Sequence, residues 1–501
     1  MASILLSLLL TSNPRPVAAA SFNGLAITPQ MGWNTWNAFA CSVDADLLTS
    51  SARAIVDFGL RDIGYEYVIL DDCWSAGRNT SGNGSIIVDT TKFPNGMAAI
   101  AEDVHSLGLK FGMYSDAGRY TCGQYEGSLG HETVDAQTFA NWGVDYLKYD
   151  NCYNQGNAGT QYLSRNRYDT MSQALNATGR SILYSLCNWG EDYPWNWGTT
   201  IANSWRISGD VYDSYNRPDD RCPCDGPDAW DCGLPGFHCS TLNILNKASF
   251  IVSKAQSGGW NDLDMLTVGL GGQTDAEYVT LFSMWCATKS PLLMGNDFSK
   301  ITNKTLSILA NAAAIAVNQD PIASSAARRW YYDTDLVDEY GKSSIQMWSG
   351  NLNSTTDSEW NDMVVVLVNG QNASATMNAT LADIFIDSGT YGTAPQAALS
   401  WEVRDLWSNR LTDEEAQAII DAAHATESGS GVAGNVTTKL YNATQTSYAD
   451  GLEAKNDLLL GKVVGTVAPQ GTLTAEVDRH GVAMFRLRAV PTNAVRKRTE
   501  L

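Results

Sequence analysis

The segment Val144-Asp145-Tyr146-Leu147-Lys148-Tyr149-Asp150-Asn151-Cys152 is an apolar, β-rich run that ends abruptly in polar residues. Because side chains alternate along a strand, Lys148 and Asp150 should share one face, while Leu147 and Tyr149 point the other way. A helix-like stretch then follows. Where this order of strand, polar cluster and helix recurs, it predicts parallel strands joined by helices.

The pattern recurs eight times between about residue 26 and residue 320. Eight such units predict a (β/α)8 TIM barrel, a fold that needs about 250 residues. A doubly wound open sheet is the competing architecture, but no G-x-G-x-x-G turn follows the first run. The eight runs are Gln30–Trp33, Tyr67–Leu70, Lys110–Tyr114, Val144–Tyr149, Ser181–Leu186, Ser204–Ile207, a segment before Trp260, and Pro291–Met294.

The sequence changes character after about Pro321, where loops rich in Asn, Gly, Ser and Thr separate the apolar runs. Three of these runs predict a C-terminal antiparallel β-domain, a β-sandwich: Val364–Val368, Leu399–Val403 and Val482–Leu487. Inside this region, residues 412–425 have a helical pattern and residues 427–434 form a Gly/Ser-rich loop. We interpret the two as an insertion.

The first residues indicate export. The apolar run Ile4–Leu10 is far shorter than the roughly 20 residues that span a bilayer, and Val17–Ala20 has the small side chains of a signal-peptidase site. We therefore expect a signal peptide at 1–20, the catalytic barrel at 21–322 and the β-domain at 323–501.

Candidate N-glycosylation sequences support a secreted, extracellular protein, with chance occurrence as the alternative. The N-x-S/T sites lie at Asn79, Asn83, Asn176, Asn303, Asn353, Asn372, Asn378, Asn435 and Asn442.

Cysteine content and net charge indicate the compartment of the protein and the kind of partner that it binds. All ten cysteines lie between Cys41 and Cys286, which suits a disulfide-braced barrel in an oxidising compartment. The net charge of -21 argues against nucleic acid or anionic membranes as partners, and a neutral substrate fits better. A cluster of four cysteines could bind zinc, but its Pro-, Gly- and Asp-rich surroundings favour a disulfide-pinned loop. Its members are Cys222, Cys224, Cys232 and Cys239.

Acidic residues follow several of the apolar runs, at the strand ends where barrel enzymes place their chemistry. Two suitably placed carboxyl groups suffice for glycoside hydrolysis with retention, one to attack the anomeric carbon and one to protonate the leaving oxygen. Asp150 is the candidate nucleophile, kept ionised by Lys148; a structural ion pair between the two is the alternative.

Asp210 is the candidate acid/base, since aromatic neighbours would remove water from its carboxyl group and favour the protonated acid. Capping of a following helix is the alternative role for Asp210, and Asp213 is its local competitor.

Five segments carry a resemblance to a known family. They are Met31-Gly32-Trp33-Asn34-Thr35-Trp36, Leu70-Asp71-Asp72-Cys73-Trp74, Gly112-Met113-Tyr114-Ser115-Asp116-Ala117-Gly118, Tyr146-Leu147-Lys148-Tyr149-Asp150-Asn151-Cys152 and Gly258-Gly259-Trp260-Asn261-Asp262-Leu263-Asp264-Met265. In residue content and order they resemble the family 27 glycoside hydrolases, the α-galactosidases. The resemblance implies a catalytic barrel followed by an antiparallel β-domain, with Asp150 as nucleophile and Asp210 as acid/base.

The same resemblance implies how a galactose ring would be held. Asp71 and Asp72 would bind its 4- and 6-hydroxyls, Lys148 the 3- and 4-hydroxyls, and Arg206 the 2- and 3-hydroxyls. Asp71 and Asp72 would point to opposite faces of a continuing strand, so a turn must end the strand there. The pocket would be lined by Trp36, Tyr114, Cys187, Trp189 and Met265.

The side of the pocket near the 2-hydroxyl distinguishes related activities. Cys187 and Trp189 resemble the bulky loop of α-galactosidases, whereas N-acetylgalactosaminidases of the family have small residues there, and this favours galactose. α-N-Acetylgalactosaminidase and β-L-arabinopyranosidase are the rival enzymes, and a galactose-binding lectin is the rival without catalysis. Melibiose, raffinose-type oligosaccharides and galactomannan side chains remain equal candidates as substrates. Neither a metal nor an organic cofactor is implied.

The resemblance also implies two disulfides beside the site, Cys41–Cys73 and Cys122–Cys152, with Cys187 unpaired. For the four-cysteine cluster we predict Cys222–Cys239 and Cys224–Cys232. That leaves Cys286 as a buried free thiol.

Overall fold

The computed structural model describes residues 23–217, 239–356, 358–386, 394–425, 429 and 440–490. Its strands are β1 (Met31–Asn34), β2 (Tyr67–Ile69), β3 (Ser75–Arg78), β4 (Ile86–Val88), β5 (Lys110–Asp116), β6 (Tyr146–Asp150), β7 (Leu183–Leu186), β8 (Ser204–Arg206), β9 (Trp260–Asp262), β10 (Leu292–Met294), β11 (Ala327–Asp333), β12 (Ser344–Leu352), β13 (Asp362–Asn369), β14 (Ala375–Thr380), β15 (Trp401–Asp405), β16 (Lys462–Val467), β17 (Thr472–Val477) and β18 (Val482–Ala489).

The helices are α1 (Trp36–Phe39), α2 (Ala45–Asp57), α3 (Leu60–Ile63), α4 (Gly96–Ser106), α5 (Glu132–Asn141), α6 (Gln161–Ala177), α7 (Thr241–Ala248), α8 (Asp275–Ala287), α9 (Asn303–Leu309), α10 (Ala312–Asn318), α11 (Leu381–Ile384), α12 (Asp413–Ala425), α13 (Tyr448–Glu453) and α14 (Asp457–Leu460). Among the described residues, no helix combines the length and the apolar character that crossing a bilayer requires.

Eight parallel strands form the first sheet, in the order β10-β1-β2-β5-β6-β7-β8-β9. A parallel bridge between Leu266, just after β9, and Met294 in β10 brings the two edges of the sheet together. The curled, TIM-barrel-like sheet confirms the predicted fold class. Four of the eight strands, β2, β7, β8 and β10, lie within the predicted runs, and β1, β5 and β6 extend one or two residues past theirs. The seventh prediction was placed too early, because the residues before Trp260 form a tight turn in which Gln256 bridges Gly259.

The C-terminal part is antiparallel, as predicted. Six strands form one sheet in the order β11-β12-β13-β18-β15-β16, and β14 and β17 form a second, smaller sheet. A core cluster that includes Met377, Leu473 and Trp401 fills the space between the two sheets. The helix expected at 412–425 is α12, whereas the loop expected at 427–434 lies outside the described residues except for Gly429.

β13 is buried along its whole length because it is covered on both faces. Val364 and Val366 join the core cluster that contains the barrel, while Val365 and Leu367 join the core of the sandwich. The uninterrupted run of apolar residues in β13 is the pattern expected of such a strand. α8 packs against β13 and β18 and is apolar on nearly all sides, so the barrel and the sandwich share a continuous interior.

Candidate active site

A cavity of about 800 Å³ opens where the barrel strands end. Ten of the eleven predicted catalytic and pocket residues line it, although they come from separate parts of the chain. Cys187 is the exception and lies in the layer beneath. The lining residues are Trp36, Asp71, Asp72, Tyr114, Lys148, Asp150, Trp189, Arg206, Asp210 and Met265.

Asp150 is the last residue of β6, and its side chain is held from two directions. The Tyr114 hydroxyl donates to Oδ2 at 2.9 Å, and the backbone N–H of Asn151 donates to Oδ1 at 2.9 Å. The alternation read from the sequence is present: Lys148 and Asp150 face the cavity, while Leu147 and Tyr149 belong to the core behind the sheet. The carboxylate is therefore fixed by donors that leave its outer side open to the cavity.

Lys148 forms its ion pair with Asp71, not with Asp150. Its Nζ donates to Asp71 Oδ2 at 2.7 Å, and Asn34 Nδ2 donates to the same oxygen at 2.7 Å. Both members of the Lys148–Asp71 pair are largely buried, so removal of either would leave its partner buried without a counter-charge. This geometry presents an ammonium and a carboxylate together at the floor of the cavity.

Asp71 and Asp72 reach the same cavity because β2 ends at Ile69, before either of them. Cys73 then adopts a left-handed conformation with φ 74°, which supplies the turn that the sequence required. Asp72 Oδ2 accepts from the N–H of Gly123 at 2.7 Å. A Cβ at that glycine would lie 2.9 Å from the same oxygen, so the close approach depends on Gly123.

Arg206 organises the opposite side of the cavity. Its Nη2 contacts Asp264 Oδ2 at 2.6 Å and Asp210 Oδ1 at 3.0 Å. Asp264 Oδ2 also accepts from the N–H of Val211 at 2.7 Å, so one buried carboxylate holds both the guanidinium and the backbone next to Asp210. Asp264 has φ 82°, an uncommon conformation for a residue other than glycine, and such residues concentrate at functional sites.

Burial raises the pKa of Asp150 to about 7, and the charge of Asp210 adds to this, while the charge of Lys148 and the bond from Tyr114 lower it. Lys148 therefore acts in the expected direction on Asp150, but burial outweighs it and the net shift of the Asp150 pKa is upward. Lys148 is engaged by Asp71, and only 6% of Asp150 remains exposed. Asp210, which lines the same cavity, is near enough for its charge to raise the pKa of Asp150.

Asp210 is more exposed than the sequence suggested. Its side chain is 47% exposed, and its contact with Arg206 replaces the expected shielding by aromatic residues. It does not cap a described helix, since α7 is capped by Ser240. Its competitor Asp213 accepts from the N–H of Gly272 and from the hydroxyl of Tyr278, and so ties two loops together.

Cys187 and Trp189 occupy different layers. Trp189 lines the cavity and adopts a left-handed backbone conformation with φ 56°. Cys187 is buried below it as a free thiol, with Sγ 3.5 Å from Arg206 Nη1. Cys187 therefore supports the position of Arg206 from beneath the cavity surface.

The cysteines follow the sequence-based expectations where they are described. The disulfides Cys41–Cys73 and Cys122–Cys152 are present, and Cys286 is a buried free thiol. Cys239 is disulfide-bonded, which argues against zinc at that residue. The other three members of its cluster lie outside the described residues, so the connectivity stays a prediction.

Sequence reasoning gave no role to two residues that the geometry makes important, Asn34 and Asp264. Both appear in the motifs quoted above, and both follow or end an apolar run, which is the signal that could have identified them. Their bonds to Asp71 and Arg206 depend on register between strands that are distant in sequence. That register could not be read from the motifs alone.

Two family models match the chain. The first, described as Alpha galactosidase A, matches residues 28–320, and the second, described as Alpha galactosidase C-terminal beta sandwich domain, matches residues 342–428. The chain is 50% identical over 473 residues to "Alpha-galactosidase" of Lachancea cidri, covering 94% of this chain and 96% of the relative. It is also 50% identical over 468 residues to "Alpha-galactosidase 5" of Saccharomyces cerevisiae, covering 93% and 95%.

Solved structures give the same result. The α-galactosidase of Saccharomyces cerevisiae superposes with a TM-score of 0.88 at 48% identity, covering 94% of this chain and 100% of that chain. A structure of the α-galactosidase from the same yeast with raffinose matches with the same values.

Proposed function

The chain belongs to the alpha-galactosidase family, and from this membership we propose that it removes terminal α-D-galactosyl residues from galactosides with retention of configuration. It is a glycoside hydrolase. The relatives named as α-galactosidases match it over almost the full length of both chains, including the barrel and the C-terminal sandwich.

In the proposed double displacement, Asp150 attacks C1 of galactose while Asp210 gives its proton to the departing glycosidic oxygen. The C1–oxygen bond breaks as the bond between C1 and the Asp150 carboxylate forms. Water then attacks C1 and passes a proton to Asp210, and the Asp150 carboxylate leaves. Tyr114, which donates to Asp150 Oδ2, stabilises the carboxylate as it is released.

One observation carries this assignment: Asp150 and Asp210 line one cavity from two strand ends, and the charge of one raises the pKa of the other. Two carboxyl groups that influence each other in this way suit a site where one attacks and the other exchanges a proton. For a retaining enzyme we predict a separation of about 5 to 5.5 Å between them.

The galactose ring would lie against the charged floor of the cavity. Asp71, Asp72 and Lys148 would take the 3-, 4- and 6-hydroxyls, and Arg206 the 2-hydroxyl. Support comes from their geometry, since Lys148 and Asp71 present a donor and an acceptor side by side. Raffinose is the ligand named for the solved yeast relative, so a raffinose-type oligosaccharide is one candidate substrate for this chain.

We further propose that the protein is secreted after removal of residues 1–20 and glycosylated at some of its N-x-S/T sites. The two disulfides beside the active site support an oxidising compartment. We propose that the mature chain consists of two domains, the catalytic barrel at 21–322 and the β-domain at 323–501.

Hydrolysis of three nitrophenyl glycosides tests the activity: α-galactoside, α-N-acetylgalactosaminide and β-L-arabinopyranoside. We expect the first to be cleaved with the highest kcat/KM, because Trp189 would restrict space for the N-acetyl group and arabinopyranose lacks the 6-hydroxyl that Asp71 or Asp72 would bind. Proton NMR of the first-formed product should give α-galactose. Initial release of β-galactose would refute retention, and absence of turnover on all three glycosides would favour the lectin alternative.

A further inference from the structure

The segment that carries Asp210 extends beyond the barrel. We call residues 208–217 the acid/base loop. Its first part is held by the barrel: Val211 N–H donates to Asp264, and the backbone of Asp210 accepts from the N–H of Cys239 at 2.7 Å. Asp213 then binds Gly272 and Tyr278. These contacts fix the loop where it leaves the active site.

The second part of the loop is held by the C-terminal sandwich. The ring of Tyr215 stacks on His480 with centroids 4.4 Å apart and planes 17° from parallel. The Tyr215 hydroxyl donates to the carbonyl of Asn369, the last residue of β13, at 3.3 Å. Asn216 Nδ2 donates to Asp338 Oδ2 at 2.9 Å. Tyr215 and Asn216 are both buried, so these contacts are enclosed between the two parts of the molecule.

His480 is itself held in place from the barrel side. Its Nδ1 contacts Glu277 Oε1, in the first turn of α8, at 2.6 Å. Asp338 is fixed as well, because its Oδ1 accepts from the N–H groups of Tyr340 and Lys342 at 2.9 Å each. The loop therefore meets preformed partners in the sandwich.

From this arrangement we propose that the C-terminal sandwich positions the general acid of the reaction, with His480 and Asp338 as positioning residues that act through the acid/base loop. Asp210 is 47% exposed, and among the described residues its carboxyl group contacts Arg206. The course of the loop therefore sets the backbone position from which Asp210 reaches Arg206 and the cavity. The proposal rests on the proposed function, because it requires Asp210 to protonate the leaving group.

The chemistry offers a readout that separates positioning from stability. A sugar leaving group needs a proton as the glycosidic bond breaks, whereas dinitrophenolate departs without one. Because kcat/KM reports the steps up to the covalent intermediate, a misplaced acid should lower kcat/KM for melibiose and spare dinitrophenyl α-galactoside. A general loss of folded protein would lower both values equally.

The test compares His480→Asn and Asn216→Ala with the wild-type protein on these two substrates. Asparagine tolerates the left-handed conformation of His480, φ 54°, and retains a donor toward Glu277 while removing the stacked ring. We expect kcat/KM for melibiose to fall about tenfold in each variant, within the range of general acid catalysis, and the value for the dinitrophenyl substrate to change less than about twofold. Equal effects on both substrates, or no effect on either, would overturn the proposal.

Arg410→Ala provides a matched control. Arg410 forms a bidentate ion pair with Asp275, also in the first turn of α8, at 2.6 and 2.8 Å. Its other hydrogen bonds among the described residues go to Ser307 and Lys304, away from the acid/base loop. This variant should lower Tm while the ratio of the two kcat/KM values stays as in the wild type. A changed ratio would contradict the proposal, because any loosened contact between barrel and sandwich would then suffice.

Asp210→Ala tests the premise that Asp210 is the general acid separately from the proposal that the sandwich positions it. It should show a far larger loss on melibiose than on the dinitrophenyl substrate. If it does and the positioning variants do not, the role of the sandwich is refuted while the function stands. If Asp210→Ala itself affects both substrates equally, the assignment of the general acid fails.

Discussion

The two sides of the cavity place the same chemical group in opposite surroundings. On the inner wall, formed by the ends of β2, β5 and β6, Asp150 is buried and is held by Tyr114 and by its own strand. On the outer wall, formed by the acid/base loop, Asp210 is half exposed and is held through Arg206. Both are aspartates, but one is fixed by the sheet and the other by a loop.

This difference matches the two tasks. A nucleophile must meet one carbon atom from one direction, and a strand end in a packed barrel gives it that precision. A group that first donates a proton and later accepts one must exchange protons with a sugar oxygen and with water, which requires access. The comparison therefore predicts that the inner wall determines whether reaction occurs, and that the outer wall determines which leaving groups are accepted.

The largest expected effect is on the inner wall. Asp150→Asn removes the carboxylate that attacks C1, so kcat/KM should fall by about 10⁴-fold or more for every galactoside, whatever its leaving group. Steady-state assays on melibiose and dinitrophenyl α-galactoside measure this loss. A variant with full hydrolysis would remove Asp150 from its role, and an unchanged circular dichroism spectrum is the required control.

The next effect is on the outer wall and should depend on the substrate. Asp210→Ala is expected to lower kcat/KM for melibiose by about 10² to 10⁴-fold, the usual contribution of a general acid, with little change for the dinitrophenyl substrate. Added azide should then speed turnover of the covalent intermediate and yield α-galactosyl azide, the product with retained configuration. Inverted β-galactosyl azide, or a loss of equal size for both leaving groups, would contradict the contrast between the two walls.

Asp150→Asn should also make the protein more stable, since the fold disfavours the charged carboxylate. The pKa of Asp150 is about 7 in the folded protein, above the value of an unfolded aspartate, so the folded state binds the proton more tightly. The stabilisation that the folded state gains from the protonated Asp150 carboxyl group is fully present below about pH 4 and is lost as pH rises to about 7. The gain of the variant over the wild type should therefore grow across this window, to a few kcal/mol at most.

Urea unfolding of both proteins at pH 4.5 and pH 7.5 measures that gain. Asp210→Asn serves as the comparison, because a half-exposed carboxyl group has less hydration to lose. An Asp150→Asn variant that is less stable than the wild type at pH 7.5 would show that bonds from Tyr114 and Asn151 outweigh the cost of burial.

The smallest effect expected here concerns the support of the outer wall. Asp264→Asn keeps the shape of the side chain but removes the charge that holds Arg206 and the N–H of Val211. Loss of one charge-assisted bond suggests about tenfold lower kcat/KM for melibiose. A decrease of equal size for the dinitrophenyl substrate would assign Asp264 to galactose binding through Arg206 instead of to the placement of Asp210.

Much of this was accessible from the sequence, for a reason that particular residues illustrate. Lys148 and Asp150 belong to one strand, and strand alternation alone put them on one face. The turn after β2 was required once Asp71 and Asp72 were both assigned to the pocket, and the left-handed Cys73 supplies it. Features within one element, or at its end, follow from local rules.

The remaining features depend on contacts across the barrel. No local rule pairs Lys148 with Asp71, which is 77 residues away, and that pairing changes the electrostatics of Asp150. The motif that contains Asp264 does not reveal its role, because its partner Arg206 lies on a different strand. The β3–β4 hairpin and the second sheet of the sandwich were missed as well, since their short strands lack a long apolar run.

The burial of β13 on both faces has a consequence for synthesis on the ribosome. The barrel emerges first, but its α8 surface is covered only when β13 and later β18 have been made, some 200 residues after α8. Until then, the apolar surface of α8 and the valines of β13 are exposed, and chaperones or neighbouring chains can bind them. Premature termination before β18 should therefore yield an aggregating product and not a smaller working enzyme.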